Sequence, residues 1–180
     1  MPVQDDHAGE ACGVVGVYSP GEDVARVAFF GLYALQHRGQ ESAGIATATG
    51  KRIHNYTSMG LVSQAFRESD LERLEGHIAI GHTRYSTMGS SELCNAQPIL
   101  VQGPQGSLAL ANNGNIINSP QLKAQLQDEW NCTFNSTTDS EVLALLLAHA
   151  SGTSWEERMF SCMRQAEGAF SMVALTKDTL

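Results

Sequence analysis

Positive charge is scarce in this chain. Among 180 residues, eleven Lys and Arg stand against nineteen Asp and Glu, a net charge of −8. That balance argues against a nucleic-acid-binding face. Long apolar runs are also missing. The longest, Val142 to Ala148, has seven residues, too few to span a bilayer. Cysteine is sparse and scattered: Cys12, Cys94, Cys132 and Cys162 are separated by 82, 38 and 30 positions. No CxxC and no His/Cys pair has zinc-ligand spacing. The first eleven residues carry Asp5, Asp6 and Glu10 but no Lys or Arg, and they lack the basic start and apolar stretch of a secretory signal. These absences predict a cytoplasmic chain with reduced thiols and neither a membrane nor a nucleic-acid partner. At 42% apolar residues, one domain can bury a core without staples.

What is present is a mixture of strand and helix signals. Residues 1–11 are polar and aperiodic and read as a leader. At Cys12 the pattern changes to a Val-rich strand that runs to Tyr18 and stops at Ser19-Pro20-Gly21. Asp23 is an N-cap for a helix ending near Gln36 to Gly39. Ser42–Thr49 and Lys51–Ser58 read as a hairpin about Gly50, and His77–His82 as another strand. Arg84 to Asn95, with three Ser and one Gly, is expected to be a loop and a candidate lid. Ser107–Ala111 is expected to be a strand ending at Asn112-Asn113-Gly114. Ser119 N-caps a helix with Pro120 at its first position. Thr138-Asp139-Ser140-Glu141 has capping-box spacing and opens a helix to about Ala150 that is apolar on more than one side, as a helix buried between layers would be. Ser154 opens a third helix, and Ala169–Leu175 is a last strand, five residues before the end. Short turns between strands argue for antiparallel sheet with helices packed on it. The stop just after a buried strand suggests a piece of something longer.

Several side chains carry chemistry. Read alone, Cys12 is a small core residue. The alternative is a hidden N-terminus. If the Ala11–Cys12 bond is cut, the thiol gains an α-amine titrating near ~7.7, which can act as its general base. Asn113-Gly114 reads as a turn, or as an oxyanion hole built from a side-chain and a backbone N–H. Arg84 reads as a surface charge and Asp139 as a helix cap. Together they could grip the α-carboxylate and α-ammonium of an amino acid. Cys94, Cys132 and Cys162 read as core residues. His37, His54, His77, His82 and His149 do not cluster in sequence, so no metal site is expected.

Cys12-Gly13-Val14-Val15-Gly16 followed by Gln36-His37-Arg38-Gly39-Gln40-Glu41-Ser42-Ala43-Gly44 resembles the N-terminal-nucleophile glutamine amidotransferases. Met59-Gly60-Leu61-Val62, Gly81-His82-Thr83-Arg84, Asn113-Gly114-Asn115 and Thr138-Asp139-Ser140-Glu141 agree, in order. The wording is closest to the branch that passes ammonia to phosphoribosyl diphosphate in purine synthesis. Asn112 stands where relatives often have His, and Ser86 where many have Pro. The resemblance implies an α+β fold, a four-layer α/β/β/α sandwich of two antiparallel sheets truncated at its C-terminus. It implies a leader at 1–11 and an incomplete glutaminase domain at 12–180, the phosphoribosyltransferase domain being absent. It assigns Cys12 as nucleophile, Asn113 and Gly114 as oxyanion hole, and Arg84 and Asp139 as glutamine-binding residues. Magnesium and an iron–sulfur cluster are implied for the longer protein only, with ligands outside this segment, and a homo-oligomer when full length. The competing readings are a glutaminase domain of the glucosamine-6-phosphate synthase or glutamate synthase type, and an unprocessed, inactive binding scaffold.

Overall fold

A computed structural model describes residues 12–85 and 91–180. The leader and Ser86 lie outside the described residues, as does the middle of the candidate lid.

Seven strands form two antiparallel sheets. Strands β1 (Gly13–Tyr18), β2 (Ser42–Ala48), β3 (Ile53–Met59) and β4 (Ile78–Arg84) make a four-stranded sheet in the order β1-β4-β2-β3. Strands β5 (Ile99–Gly103), β6 (Gly106–Ile116) and β7 (Gly168–Leu175) make a three-stranded sheet in that order. Helices α1 (Val24–Ala34), α2 (Val62–Ala65) and α3 (Glu68–Leu71) accompany the first sheet. Helices α4 (Ser119–Trp130), α5 (Asp139–His149) and α6 (Trp155–Met163) accompany the second.

Strand alternation sorts the core into three layers, because successive side chains point to opposite faces. In the first sheet Val15, Val17, Ala43, Ile45 and Ala79 face Ala25, Ala28 and Leu32 of α1. The neighbouring positions Val14, Ala46, Ala48, Ile78 and Ile80 face the other way, against Ala109, Ala111, Val173 and Leu175 of the second sheet. There Leu108, Leu110, Met172 and Ala174 point outward against α5 and the other helices beyond it. Two helix layers therefore enclose two sheets, the expected four-layer sandwich. Helix α5 is buried from Ser140 to Ala148, matching its apolar sequence on every side.

Several local expectations change. Asn112-Asn113-Gly114 does not end β6. The strand continues to Ile116 and pairs with β7, Asn113 opposite Ser171 and Gly114 opposite Phe170. Long pairing overrides the local turn signal. Thr138 makes no side-chain cap on α5. Glu141 instead accepts from the Asn135 and Ser136 N–H groups, at 2.9 and 2.7 Å, and from the Ser136 hydroxyl. The cap of α4 is Asn118 rather than Ser119. Asp23 does cap α1, accepting from Arg26 N at 3.0 Å. Cys162 is buried as expected, but Cys94 is exposed and Cys132 half-buried. Strand β5, whose Ile99 and Val101 point into the core, and the short helices α2 and α3 are additions to the elements read from the sequence. Among the described residues, no helix is long and apolar enough to cross a membrane.

Candidate active site

Register brings the sequence motifs to one end of the sandwich. Gly13 pairs with Thr83 and Ser42 with Arg84, so Cys12, just before β1, falls beside the end of β4. Arg84 shares the face of Ile78 and Ile80, which points toward the second sheet. From that sheet come Asn112, Gly114 and Asn115 of β6. From the helix layer come Thr138, Asp139 and Ser140, at the start of α5. Together with Tyr85 and Gln97 these residues line one cleft. It is small, about 30 Å³, the space of one or two waters. A larger open cleft, of about 510 Å³, lies at the opposite end of the sheets beside Lys51, Arg158 and Lys177, and none of the motifs reaches it.

Four of the five singled-out residues line the small cleft: Cys12, Arg84, Gly114 and Asp139. Asn113 does not. It is half-buried in β6 on the face of Ala109 and Ala111, the face turned toward Cys12's sheet.

The Cys12 thiol is held by the Tyr85 backbone, with Tyr85 N donating to Sγ at 3.4 Å and Sγ lying 3.5 Å from Tyr85 O. Burial pushes the thiol above its ordinary range. The Tyr85 backbone and the Arg84 charge pull it down by less, and Glu41 adds to the rise. The group at rest is therefore a thiol that needs a base before it can attack. Arg38 Nε donates to the Cys12 carbonyl at 3.3 Å. Arg84 is almost fully buried and pairs with Glu41 at 2.9 Å. Burial of a cation on this scale requires such a partner. Asp139 Oδ2 accepts from the Ile116 N–H at 2.7 Å, which fixes the carboxylate at the mouth of the second sheet.

Gly114 sits at φ +139°, and a Cβ there would lie 2.2 Å from the Ala169 carbonyl oxygen. Only glycine fits. Upstream, Gln97 grips the Asn112 backbone with both ends of its amide. It accepts from Asn112 N at 2.7 Å and donates to Asn112 O at 3.3 Å. His82 Nε2 donates to the same carbonyl at 3.1 Å, joining the two sheets. Burial lowers the pKa of this His to about 4, so it is neutral at physiological pH.

Sequence reasoning gave no role to Glu41, Gln97 or Asn112. The signal for Glu41 lay inside the Gln36–Gly44 motif, but its partner is set by strand register. Among the described residues no group of three His, Cys, Asp or Glu side chains is placed to hold a metal.

Comparison with known proteins agrees with this fold. A family described as a glutamine amidotransferase domain matches residues 63–178. The amidophosphoribosyltransferase of Synechococcus elongatus is 50% identical over 177 residues, covering 97% of this chain and 36% of the relative. That of Mycobacterium tuberculosis is 44% identical over 187 residues, covering 100% and 36%. A solved structure described as the allosteric regulatory enzyme of purine biosynthesis superposes with a TM-score of 0.82 at 35% identity, over 91% of this chain and 35% of that one. The glutamine phosphoribosylpyrophosphate amidotransferase of B. subtilis, solved with ADP and GMP, gives 0.77 at 33% identity, over 93% and 35%. The chain thus spans about a third of the length of the relatives it matches. With two sheets, a shared cleft and a family match across most of the described residues, this chain belongs to the glutamine amidotransferase domain family.

Proposed function

We propose that this chain is the glutamine-hydrolysing part of an amidophosphoribosyltransferase, with Cys12 as its nucleophile. The observation that carries the reading is the convergence of Cys12, Arg84, Gly114 and Asp139 on one cleft, from three layers of the fold.

Removal of residues 1–11 exposes the Cys12 α-amine. The amine takes the thiol proton, and Sγ attacks the side-chain carbonyl carbon of glutamine. The oxygen gathers negative charge, which the Gly114 N–H and the Asn113 amide stabilise. One such donor contributes about 3–4 kcal/mol of barrier lowering. The C–N bond then breaks and the ammonium on Cys12 returns its proton, so nitrogen leaves as ammonia. Water attacks the thioester, releasing glutamate and restoring the thiol. Arg84 binds the substrate α-carboxylate, while Asp139, with one oxygen on the Ile116 amide, offers the other to the α-ammonium. In the longer protein the ammonia converts phosphoribosyl diphosphate to 5-phosphoribosylamine. Magnesium belongs to that second domain, and an iron–sulfur cluster would take its ligands there. The setting is cytoplasmic and the assembly a homo-oligomer.

The test is intact mass together with glutamate release. A chain starting at Cys12 is expected to liberate glutamate from glutamine, and Cys12→Ala to abolish it. Glutamate release surviving Cys12→Ala would remove Cys12 as nucleophile. A mature, Cys12-first chain with no activity would leave a binding scaffold as the reading.

A further inference from the structure

The larger cleft gathers a charge that the rest of the chain lacks. It holds four of the eleven Lys and Arg (Lys51, Arg52, Arg158 and Lys177) but only one of the nineteen Asp and Glu, Asp178. In a chain of net charge −8, that is a local reversal of sign. Four segments at the far ends of the two sheets supply it: the β2–β3 turn, the β5–β6 turn, the approach to α6, and the stretch after β7. The Gly50 N–H donates to the Lys177 carbonyl at 2.7 Å, so the backbone ties the turn that carries Lys51 to the one that carries Lys177. Like charges held on adjoining turns repel. Among the described residues none of the four cations makes an ion pair. Asp178 is engaged instead with the Thr176 hydroxyl, at 3.1 Å. Arg158 is already anchored, with Nη1 donating to Ala150 O at 2.7 Å and the guanidinium 5.7 Å from the centre of the Trp155 ring.

We propose that this cleft is a binding site for a small organic phosphate. Its volume, about 510 Å³, falls in the range of about 300–1,000 Å³ usual for small-molecule sites. A phosphate group brings nearly two negative charges and several acceptor oxygens, so it calls for donors and positive charge together. Lys and Arg side chains donate and accept nothing. Ser154 adds a donor, since its Oγ accepts from Glu157 N at 3.3 Å and keeps its own hydrogen. Gln102 adds another, since its Oε1 accepts from the Ser107 hydroxyl at 2.9 Å and its amide nitrogen is left to donate. Concavity favours a small molecule, which four turns can surround, over a flat partner surface. The cleft lies at the end of the sheets away from Cys12, so the inference stands apart from the proposed glutamine chemistry.

Inorganic pyrophosphate is the probe. Calorimetric titration of the protein at low salt is expected to show saturable, one-to-one binding that weakens as salt is added, because exposed charges are screened. Lys51→Gln combined with Lys177→Gln removes two charges from exposed side chains and is expected to weaken binding about tenfold or more. Arg73→Gln combined with Arg164→Gln makes the same change in net charge at exposed positions outside the cleft, and is expected to leave the affinity within about twofold. Amide chemical shifts followed during the titration of the unaltered protein are expected to move at Lys51, Ser107 and Lys177. The proposal is overturned by an absence of saturable binding, or by shifts confined to other parts of the chain. Affinity unchanged by the paired lysine substitutions would also overturn it. So would an equal loss from the paired arginine substitutions, which would reduce the effect to overall charge.

Discussion

Gly114 shows how much one residue can be asked to do. Its backbone lies where β6 passes the cleft, at φ +139°, and a methyl group there would run into the Ala169 carbonyl and the Phe170 backbone. Gly114→Ala therefore forces β6 and β7 apart at the proposed oxyanion donor. The expected outcome is a loss of roughly 1–3 kcal/mol of stability from backbone strain, read as a lower urea midpoint. Glutamate release should fall about 100-fold from the displaced N–H. Equal activity in the variant would take Gly114 out of the oxyanion site. At this scale the sequence was most legible where a residue type implies its chemistry: a thiol, a guanidinium, a carboxylate, a glycine. It was least legible where the role depends on a neighbour. Glu41 becomes a partner of Arg84 only because Ser42 registers opposite Arg84. Gln97 is informative only once it lies alongside Asn112.

Among the elements, α5 explains why Asp139 stays in place. The helix is buried along nearly its full length and packs on β5 and β6, so its first residue is carried by a core rather than by a cap. Leu143→Ala, at a position with no exposure, is expected to cost about 2–5 kcal/mol, seen as a fall in Tm. It should loosen Asp139 and raise the glutamine KM in the surviving folded fraction. The all-round apolar pattern made this helix readable. The capping-box spacing misled, because Glu141 turns back to the loop at Asn135 and Ser136 instead of to its own helix end. Strand β6 misled for a related reason. Asn-Gly favours a turn locally, but pairing with β7 from Gly168 to Leu175 outweighs two residues of preference. The apolar stretch Leu108 to Ala111 identified the strand but not its end.

At the scale of the whole molecule, the two sheets are joined through a neutral imidazole. His82 on β4 donates to Asn112 on β6, and burial lowers its pKa to about 4. An unfolded His titrates near ~6.5, so a folded-state pKa below that value means protons favour the unfolded chain. The full contribution is present above about pH 6.5 and is lost as the pH falls toward 4. At pH 5 the loss should be about 2 kcal/mol. Urea midpoints at pH 7 and pH 5 test this, with His82→Gln expected to flatten the difference. A slope identical in the variant would assign the acid sensitivity to other groups. Antiparallel sheet with helices packed on it was legible from short strand connections and one all-apolar helix, whereas the four-layer arrangement came only from the family resemblance. The junction between sheets was not, because nothing in the spacing of His82 and Asn112 reveals that they meet.

That junction mixes methyl groups with larger aliphatic side chains. Ala46 and Ala48 of one sheet, beside Ile78 and Ile80, meet Ala109 and Ala111 of the other, beside Leu175, and this packing sets the gap between the proposed nucleophile and oxyanion donors. An enlargement at one of these alanines would wedge the sheets, felt at the rim where the proposed function has Cys12 and Gly114 close on a single carbonyl, and a misplacement of about 1 Å can cost such a reaction about 100-fold. On the proposed function, side chains that never touch the substrate would thereby tune turnover as well as stability.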